Sequence, residues 1–239
     1  MVTINGCKIA DIGYFINMDD REDRKERLTS QLKDLNIQNI DRLPADTSTT
    51  TGPINCELSH RKCYQQLVDN NLETLLVLED DCLFLEPFIS NYKNILEDIN
   101  NTDWDIFYFG ARMRRTPLFY KNNCFRTSST SHAHAYLIKK RLVNFLFSEY
   151  PTPNFANCAI DELLTLLPYG KEVVRDPNKF NFYKLDQPLL ELPTNEFISL
   201  TYKTCLATQY KSFSSLWRHE SDIEAYITSS YYGLESKCQ

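Results

Sequence analysis

The sequence predicts an α/β protein with one mainly parallel central sheet. Three observations carry this. Leu75-Leu76-Val77-Leu78 sets four aliphatics in a row, the pattern of a strand buried on both faces inside a parallel sheet. Similar short apolar runs at 13–17 and 106–110 alternate with stretches of helical spacing, which implies right-handed crossovers. Three carboxylates, Glu79-Asp80-Asp81, follow where the central strand should emerge, and open α/β sheets bind ligands beyond the carboxyl ends of their strands.

The elements follow in order. Gly13-Tyr14-Phe15-Ile16-Asn17 reads as the first strand. A charged helix is expected over about 21–35, with Leu28, Leu32 and Leu35 inward. Asp20 with Arg24, and Asp23 with Arg27, are i,i+4 pairs, so the residues alone favour an exposed, ion-paired helix. The functional alternative is that Asn17 and the arginines Arg21 and Arg24 contact a nucleotide diphosphate. A weak strand ends at Arg42-Leu43-Pro44, and 46–53 is a Thr-rich loop. A helix is expected over 57–69, with Ser59 and His60 at its start, where donors can face an anion. Without a partner motif, His60 reads as a structural histidine.

Pro87 starts a helix over 88–99, and 111–130 reads as an irregular excursion, a lid or part of an acceptor site. In the His132-Ala133-His134 triplet, an extended backbone would point both imidazoles the same way, as a metal chelate needs. A helix over 140–150 is broken by Pro151 and Pro153. Asp161 and Glu162 sit in the first turn of a short helix, where they either complement the helix dipole or act as a general base. Short strands are expected at 173–174 and 189–190 and a tail helix over 215–232, while 199–214 gives no clear pattern. With no repeat and no low-complexity linker, 1–239 is read as one domain.

The acids need a cation to make sense. Two unit charges ~4 Å apart at an effective dielectric of 20 interact by about 4 kcal/mol. A hard divalent ion turns that repulsion into attraction, and Mg²⁺ or Mn²⁺ commonly arrives with phosphates. The bland alternative is a solvated turn capping the next helix.

Net charge is −6 and no basic cluster occurs, which argues against a nucleic-acid surface. The eight cysteines form no CxxC pair, so a zinc ribbon is not expected, and the redox compartment stays open. No signal peptide and no apolar window of membrane-spanning length is seen. The chain as given therefore reads as cytoplasmic, or lumenal if a targeting segment was trimmed.

Several stretches, in order, resemble glycosyltransferase family 25, which includes lipooligosaccharide and procollagen galactosyltransferases. They are residues 14–24, Cys56-Glu57-Leu58-Ser59-His60, Leu76-Val77-Leu78-Glu79-Asp80-Asp81, 103–110, Ala135-Tyr136-Leu137-Ile138 and Ile160-Asp161-Glu162. The resemblance spans about 13–200. Asn55 stands where the family usually has glycine, and His132 where it has a small residue.

The resemblance implies a GT-A type, Rossmann-like α/β/α sandwich. It also implies an inverting transfer of a hexose from a UDP-sugar, with Mn²⁺ or Mg²⁺, to a glycan, glycoprotein or collagen-like acceptor. The Glu-Asp-Asp form is similar to that of inverting N-acetylglucosaminyltransferases. By that analogy Asp81 binds the metal, Asp80 touches the ribose and Glu79 supports it. Asn17, Arg21, Arg24, Ser59 and His60 would bind the donor, Asp161 or Glu162 would be the base, and His134 or His132 an extra metal ligand. Two other readings remain. One is a catalytically silent nucleotide- or carbohydrate-binding module on the same fold. The other is a nucleotidyltransferase, which would more often carry a Gly-rich phosphate loop than a chain with six glycines.

Overall fold

The computed structural model describes residues 1–113, 117–127, 130–151, 160–161, 164, 197–210, 212–213 and 220–221. The chain opens with a hairpin, β1 (Val2–Ile4) and β2 (Cys7–Ala10), turned by Asn5-Gly6, both at positive φ as a two-residue hairpin loop requires. β3 (Ile12–Asn17), α1 (Glu22–Asp34), β4 (Ile37–Gln38) and β5 (Asp41–Pro44) follow. Next come α2 (Gly52–Asp69), β6 (Thr74–Glu79), β7 (Cys82–Phe84), α3 (Glu86–Asn100) and β8 (Ile106–Tyr108). Then β9 (Arg112–Met113), β10 (Leu118–Lys121), β11 (Cys124–Arg126) and β12 (Thr130–Ser131) lead to β13 (Ala135–Lys139) and α4 (Lys140–Glu149). β14 (Ser199–Tyr202) and β15 (Ala207–Gln209) complete the described core.

The eight-stranded sheet has the order β10-β11-β14-β8-β13-β6-β3-β5. β5, β3, β6, β8, β14 and β10 point one way; β13 and β11 are reversed. The expected mainly parallel sheet is therefore present, with a reversed strand wedged between β6 and β8. No described helix crosses back between β8 and β13. After the β10–β11 hairpin the chain re-enters the sheet at the end where β8 left it, and β13 therefore runs antiparallel to β8.

Alternation along β6 builds two cores. Leu76 and Leu78 pack with Leu28 and Leu32 of α1 and with Phe88, Ile95 and Ile99 of α3. Leu75 and Val77 pack with Cys63, Tyr64 and Leu67 of α2 and with Leu142 and Leu146 of α4. Each fully buried aliphatic contributes roughly 1.5–3 kcal/mol. The result is the layered, Rossmann-like α/β/α sandwich the sequence predicts. β3 leads through α1 to β5 on one side, and β5 leads through α2 to β6 on the other. The carboxyl ends of β3 and β6 thus open onto the topological switch point.

Three expectations are corrected. The helix expected from residue 57 begins at Gly52, because Pro53 belongs to its first turn, where its missing N–H costs nothing. The excursion at 111–130 contains β9 to β12, and β10 and β11 extend the sheet. Asn122-Asn123, both at positive φ, make that hairpin's turn, a signal in plain view. The strand candidates at 173–174 and 189–190 fall outside the described residues. Of the tail helix expected over 215–232 only 220–221 are described, and there the expectation is corrected: Glu220–Ser221 is a short strand paired antiparallel with Ser212–Phe213. The six described cysteines, Cys7, Cys56, Cys63, Cys82, Cys124 and Cys205, are free thiols. Among the described residues no helix is long and apolar enough to cross a membrane.

Candidate active site

The acids leaving β6 are clasped from three elements. Pairing of β3 with β6 sets Ile16 opposite Glu79 and brings Asn17 to Asp80. The Asn17 amide donates to Asp80 Oδ2 and to the Arg21 carbonyl, each at 2.9 Å. Arg42 of β5 donates from Nε to Asn17 Oδ1 at 2.8 Å, which fixes that amide's orientation. From α1, Arg24 Nη1 donates to Asp80 Oδ1 at 2.8 Å and to Asp81 Oδ2 at 3.3 Å. Arg27 donates to the Asp80 carbonyl at 3.0 Å, and its guanidinium lies over the Tyr210 ring, 4.2 Å from the centroid.

The solvated-turn reading of the acids is thereby excluded, since Asp80 is only 6% exposed. The exposed, ion-paired reading of the α1 arginines is also corrected. Arg24 is buried, and Arg27 reaches across to the strand end. Helical spacing places both on the sheet-facing side, yet the Asp80 carboxylate that meets Arg24 and the Asp80 carbonyl that meets Arg27 lie more than 50 residues away. Arg21 stays at the surface, its guanidinium on Asp23.

Glu79 and Asp81 flank a third group, Gln209 of β15. Gln209 Nε2 lies 3.3 Å from Glu79 Oε2 and 3.3 Å from Asp81 Oδ1. Glu79 also meets His60 Nε2 at 3.3 Å. His60 Nδ1 is 2.7 Å from the Tyr136 hydroxyl, which is 2.6 Å from the Tyr64 hydroxyl. A buried chain of polar groups thus runs from α2 through β13 to the acids.

The electrostatics separate the two carboxyls. Burial pushes Glu79 up, but the His60 hydrogen bond and the neighbouring imidazoles outweigh it and hold the group below its ordinary value. For Asp81, burial and the Glu79 charge prevail over Arg24 and Gln209, and its carboxyl is pushed up to about 7. A buried acid facing another acid is strained when ionised, which a bound cation relieves. Beside them, Gln209 Oε1 is buried without a hydrogen-bond partner among the described residues. Carboxylate and carboxamide oxygens are the donors that Mg²⁺ and Mn²⁺ take. These residues therefore fit a divalent ion, with Asp81 and Glu79 as the groups that would hold it.

Other predicted site residues fall differently. Ser59 lies about two turns inside α2, not at its start; its hydroxyl donates to the Asn55 carbonyl and accepts the Asp46 N–H, both at 2.7 Å. It ties the preceding loop to the helix. His134 is fully buried, with Nδ1 3.1 Å from the His132 carbonyl and Nε2 3.2 Å from the Ala207 carbonyl. A neutral imidazole carries one N–H, so only one of these nitrogens donates to its carbonyl. Burial lowers the imidazole to about 4, so it is neutral, and both ring nitrogens lie against backbone carbonyls, which favours a structural role over the metal-ligand role the resemblance implies.

The extended His-x-His chelate is absent, because His132 adopts a left-handed φ of 69°. That conformation aims the His132 N–H at Asp161 Oδ2, 3.0 Å away. Glu162 lies outside the described residues.

Cys56, His60 and Glu79 each place a ligand-type atom within 4.8 Å of the others. Burial, then Glu79 and Asp161, push the Cys56 thiol well up, so a metal held there would have to displace its proton. The same finding puts Asp161 and Glu79 around one cysteine. Arg42, Arg27, Tyr136 and Gln209 escaped the sequence reading. Each is an ordinary residue of a strand or helix, and only pairing across the sheet brings it to the acids.

The sequence model described as "Glycosyltransferase family 25 (LPS biosynthesis protein)" matches residues 38–164. Procollagen galactosyltransferase 2 of Mus musculus is 30% identical, over 41% of this chain and 20% of the relative. Inactive glycosyltransferase 25 family member 3 of Homo sapiens is 25% identical, over 41% of this chain and 21% of the relative. The chain spans about a fifth of the length of these curated relatives. The crystal structure of a glycosyltransferase involved in glycosylation of the major capsid of PBCV-1 aligns with 80% of this chain and 80% of its own, at 12% identity and a TM-score of 0.43. The family model covers more than half of the 239 residues, and the chain belongs to glycosyltransferase family 25.

Proposed function

We propose that this chain is an inverting, metal-dependent glycosyltransferase that moves a hexose from a UDP-sugar to an acceptor hydroxyl. The observation that carries the reading is the clasp at the switch point, where Asn17, Arg24 and Arg42 fix Asp80 and leave Asp81 strained beside Glu79. Asp81 and Glu79 would hold Mn²⁺ or Mg²⁺, which when bound supplies Lewis acidity to a departing diphosphate. Asp80 spends both carboxylate oxygens on Asn17 and Arg24, so its part in donor binding is to position them. Arg21, at the mouth of the clasp, offers a guanidinium to the nucleotide side. His60, held by Tyr136, orients Glu79.

Asp161 is the proposed base, with Glu162 the alternative. As the acceptor oxygen bonds to the anomeric carbon, its proton passes to the Asp161 carboxylate. The bond from that carbon to UDP breaks on the opposite face, and UDP keeps the electron pair. The names of the procollagen relatives support a collagen-like, glycoprotein or glycan acceptor for this chain.

The test is a screen of nucleotide sugars for Mn²⁺-dependent hydrolysis and transfer. UDP with Mn²⁺ is expected to raise the melting temperature, and Asp81→Ala to abolish that metal-dependent shift. Asp161→Asn is expected to keep donor binding and lose transfer. A second reading, a catalytically silent binding module, is favoured by the inactive human relative. It predicts the UDP shift with no turnover of any nucleotide sugar.

A further inference from the structure

We propose that Gln209 belongs to the cation site and turns its carboxamide to present Oε1 to a divalent ion held by Asp81 and Glu79. The inference rests on the metal-dependent reading above and adds a residue downstream of the stretch that matches the family.

β15 pairs antiparallel with β7 and sets Gln209 opposite Cys82, directly after the acids. The Tyr210 N–H donates to the Asp81 carbonyl at 2.7 Å and pins the strand end to the acidic turn. His134 Nε2, 3.2 Å from the Ala207 carbonyl, pins the other end, which gives that buried imidazole a structural purpose. Gly110 makes room for the same carbonyl, since a Cβ there would lie 1.6 Å from it. The strand is seated on three sides, so its side chain is delivered to a fixed place.

Gln209 is 7% exposed, and its two polar atoms are treated unequally. Nε2 is shared between two carboxylates at 3.3 Å each, whereas charge-assisted hydrogen bonds are commonly about 2.7–2.9 Å. Among the described residues Oε1 has no partner. A buried carbonyl left unsatisfied is costly, so the carboxamide is held in its present orientation only by the two long Nε2 contacts.

The two ends of a carboxamide have nearly the same shape, so a half-turn of the amide disturbs no packing. After that turn Oε1 faces the two carboxylates. Three oxygens facing one another repel unless a cation lies among them, and amide carbonyls are ordinary ligands of hard cations. The amide is therefore a two-position element. Its NH₂ bridges the acids without the ion, and its oxygen joins them on the ion.

The test measures Mn²⁺ binding to the 239-residue chain by the paramagnetic resonance signal of free Mn²⁺. Water-proton relaxation counts the waters on the bound ion. Gln209→Met keeps the length and removes the amide. It is expected to weaken Mn²⁺ binding at least about tenfold and to add one coordinated water. Gln209→Glu retains an oxygen and is expected to bind at least as tightly as wild type with its water count.

Wild-type affinity and hydration in the methionine variant overturn the inference, as does a glutamate variant weakened tenfold. Should the methionine variant not fold, the glutamate variant decides alone. Wild-type protein that binds no Mn²⁺ overturns both this inference and the metal-dependent reading. Binding abolished by Asp81→Asn but untouched by Gln209→Met overturns only the role of Gln209.

Discussion

Arg24→Met tests whether the clasp holds the fold as well as the site. Arg24 and Asp80 are both buried, with side chains 7% and 8% exposed, so solvent screens their pair little. Methionine fills the volume of the stem and removes the charge. Asp80 and Asp81 then lose their shared cation, and Asp81 already opposes Glu79. Removing one partner of a buried pair costs about 3–5 kcal/mol. Asp80 keeps the Asn17 amide and Asp81 keeps Gln209, which puts the expected loss at the low end, about 3 kcal/mol. For a chain of this size that is roughly 6–12 °C in melting temperature.

Thermal unfolding by circular dichroism, in chelator, measures it. The gap to wild type should narrow as pH falls, because protonation removes the stranded negative charge. Arg24→Met/Asp80→Asn should recover most of the loss. A single variant within about 1 kcal/mol of wild type would refute the reasoning, since exposed pairs are worth no more than that.

Further outcomes follow from the same geometry. Asp81, with its carboxyl pushed up to about 7 from 3.8, contributes stability below pH 4 that is lost as pH rises through about 7. In chelator, Asp81→Asn should therefore gain on wild type between about pH 5 and about pH 8, and an Asn variant that falls behind at pH 8 would contradict it. Mn²⁺ affinity should climb over the same window and then level off, as a proton-release titration would show. Tyr136→Phe strands the Tyr64 hydroxyl and His60 Nδ1 and should cost about 1–3 kcal/mol; an unchanged melting temperature would argue against the buried chain. Gly110→Ala drives a Cβ into the Ala207 carbonyl and should unseat β15, lowering both melting temperature and Mn²⁺ binding; a silent substitution would rule that out.

Residue pattern alone places the layers and the acids. The apolar run of β6 admits one environment, a strand covered on both faces, and a strand buried that way must release its polar residues at its end. Pattern also placed α1, α3 and α4, because an amphipathic period needs no distant partner to be read. The pairing emerges with the folded sheet and not before. Whether Arg24 faced water or Asp80, whether His132 and His134 aligned, and whether Gln209 mattered depended on which strands lie side by side. Such contacts join residues 56 to 130 positions apart, and no local periodicity records them. The clasp is therefore a property of the sheet's strand order, and the residues composing it are unremarkable until that order brings them together.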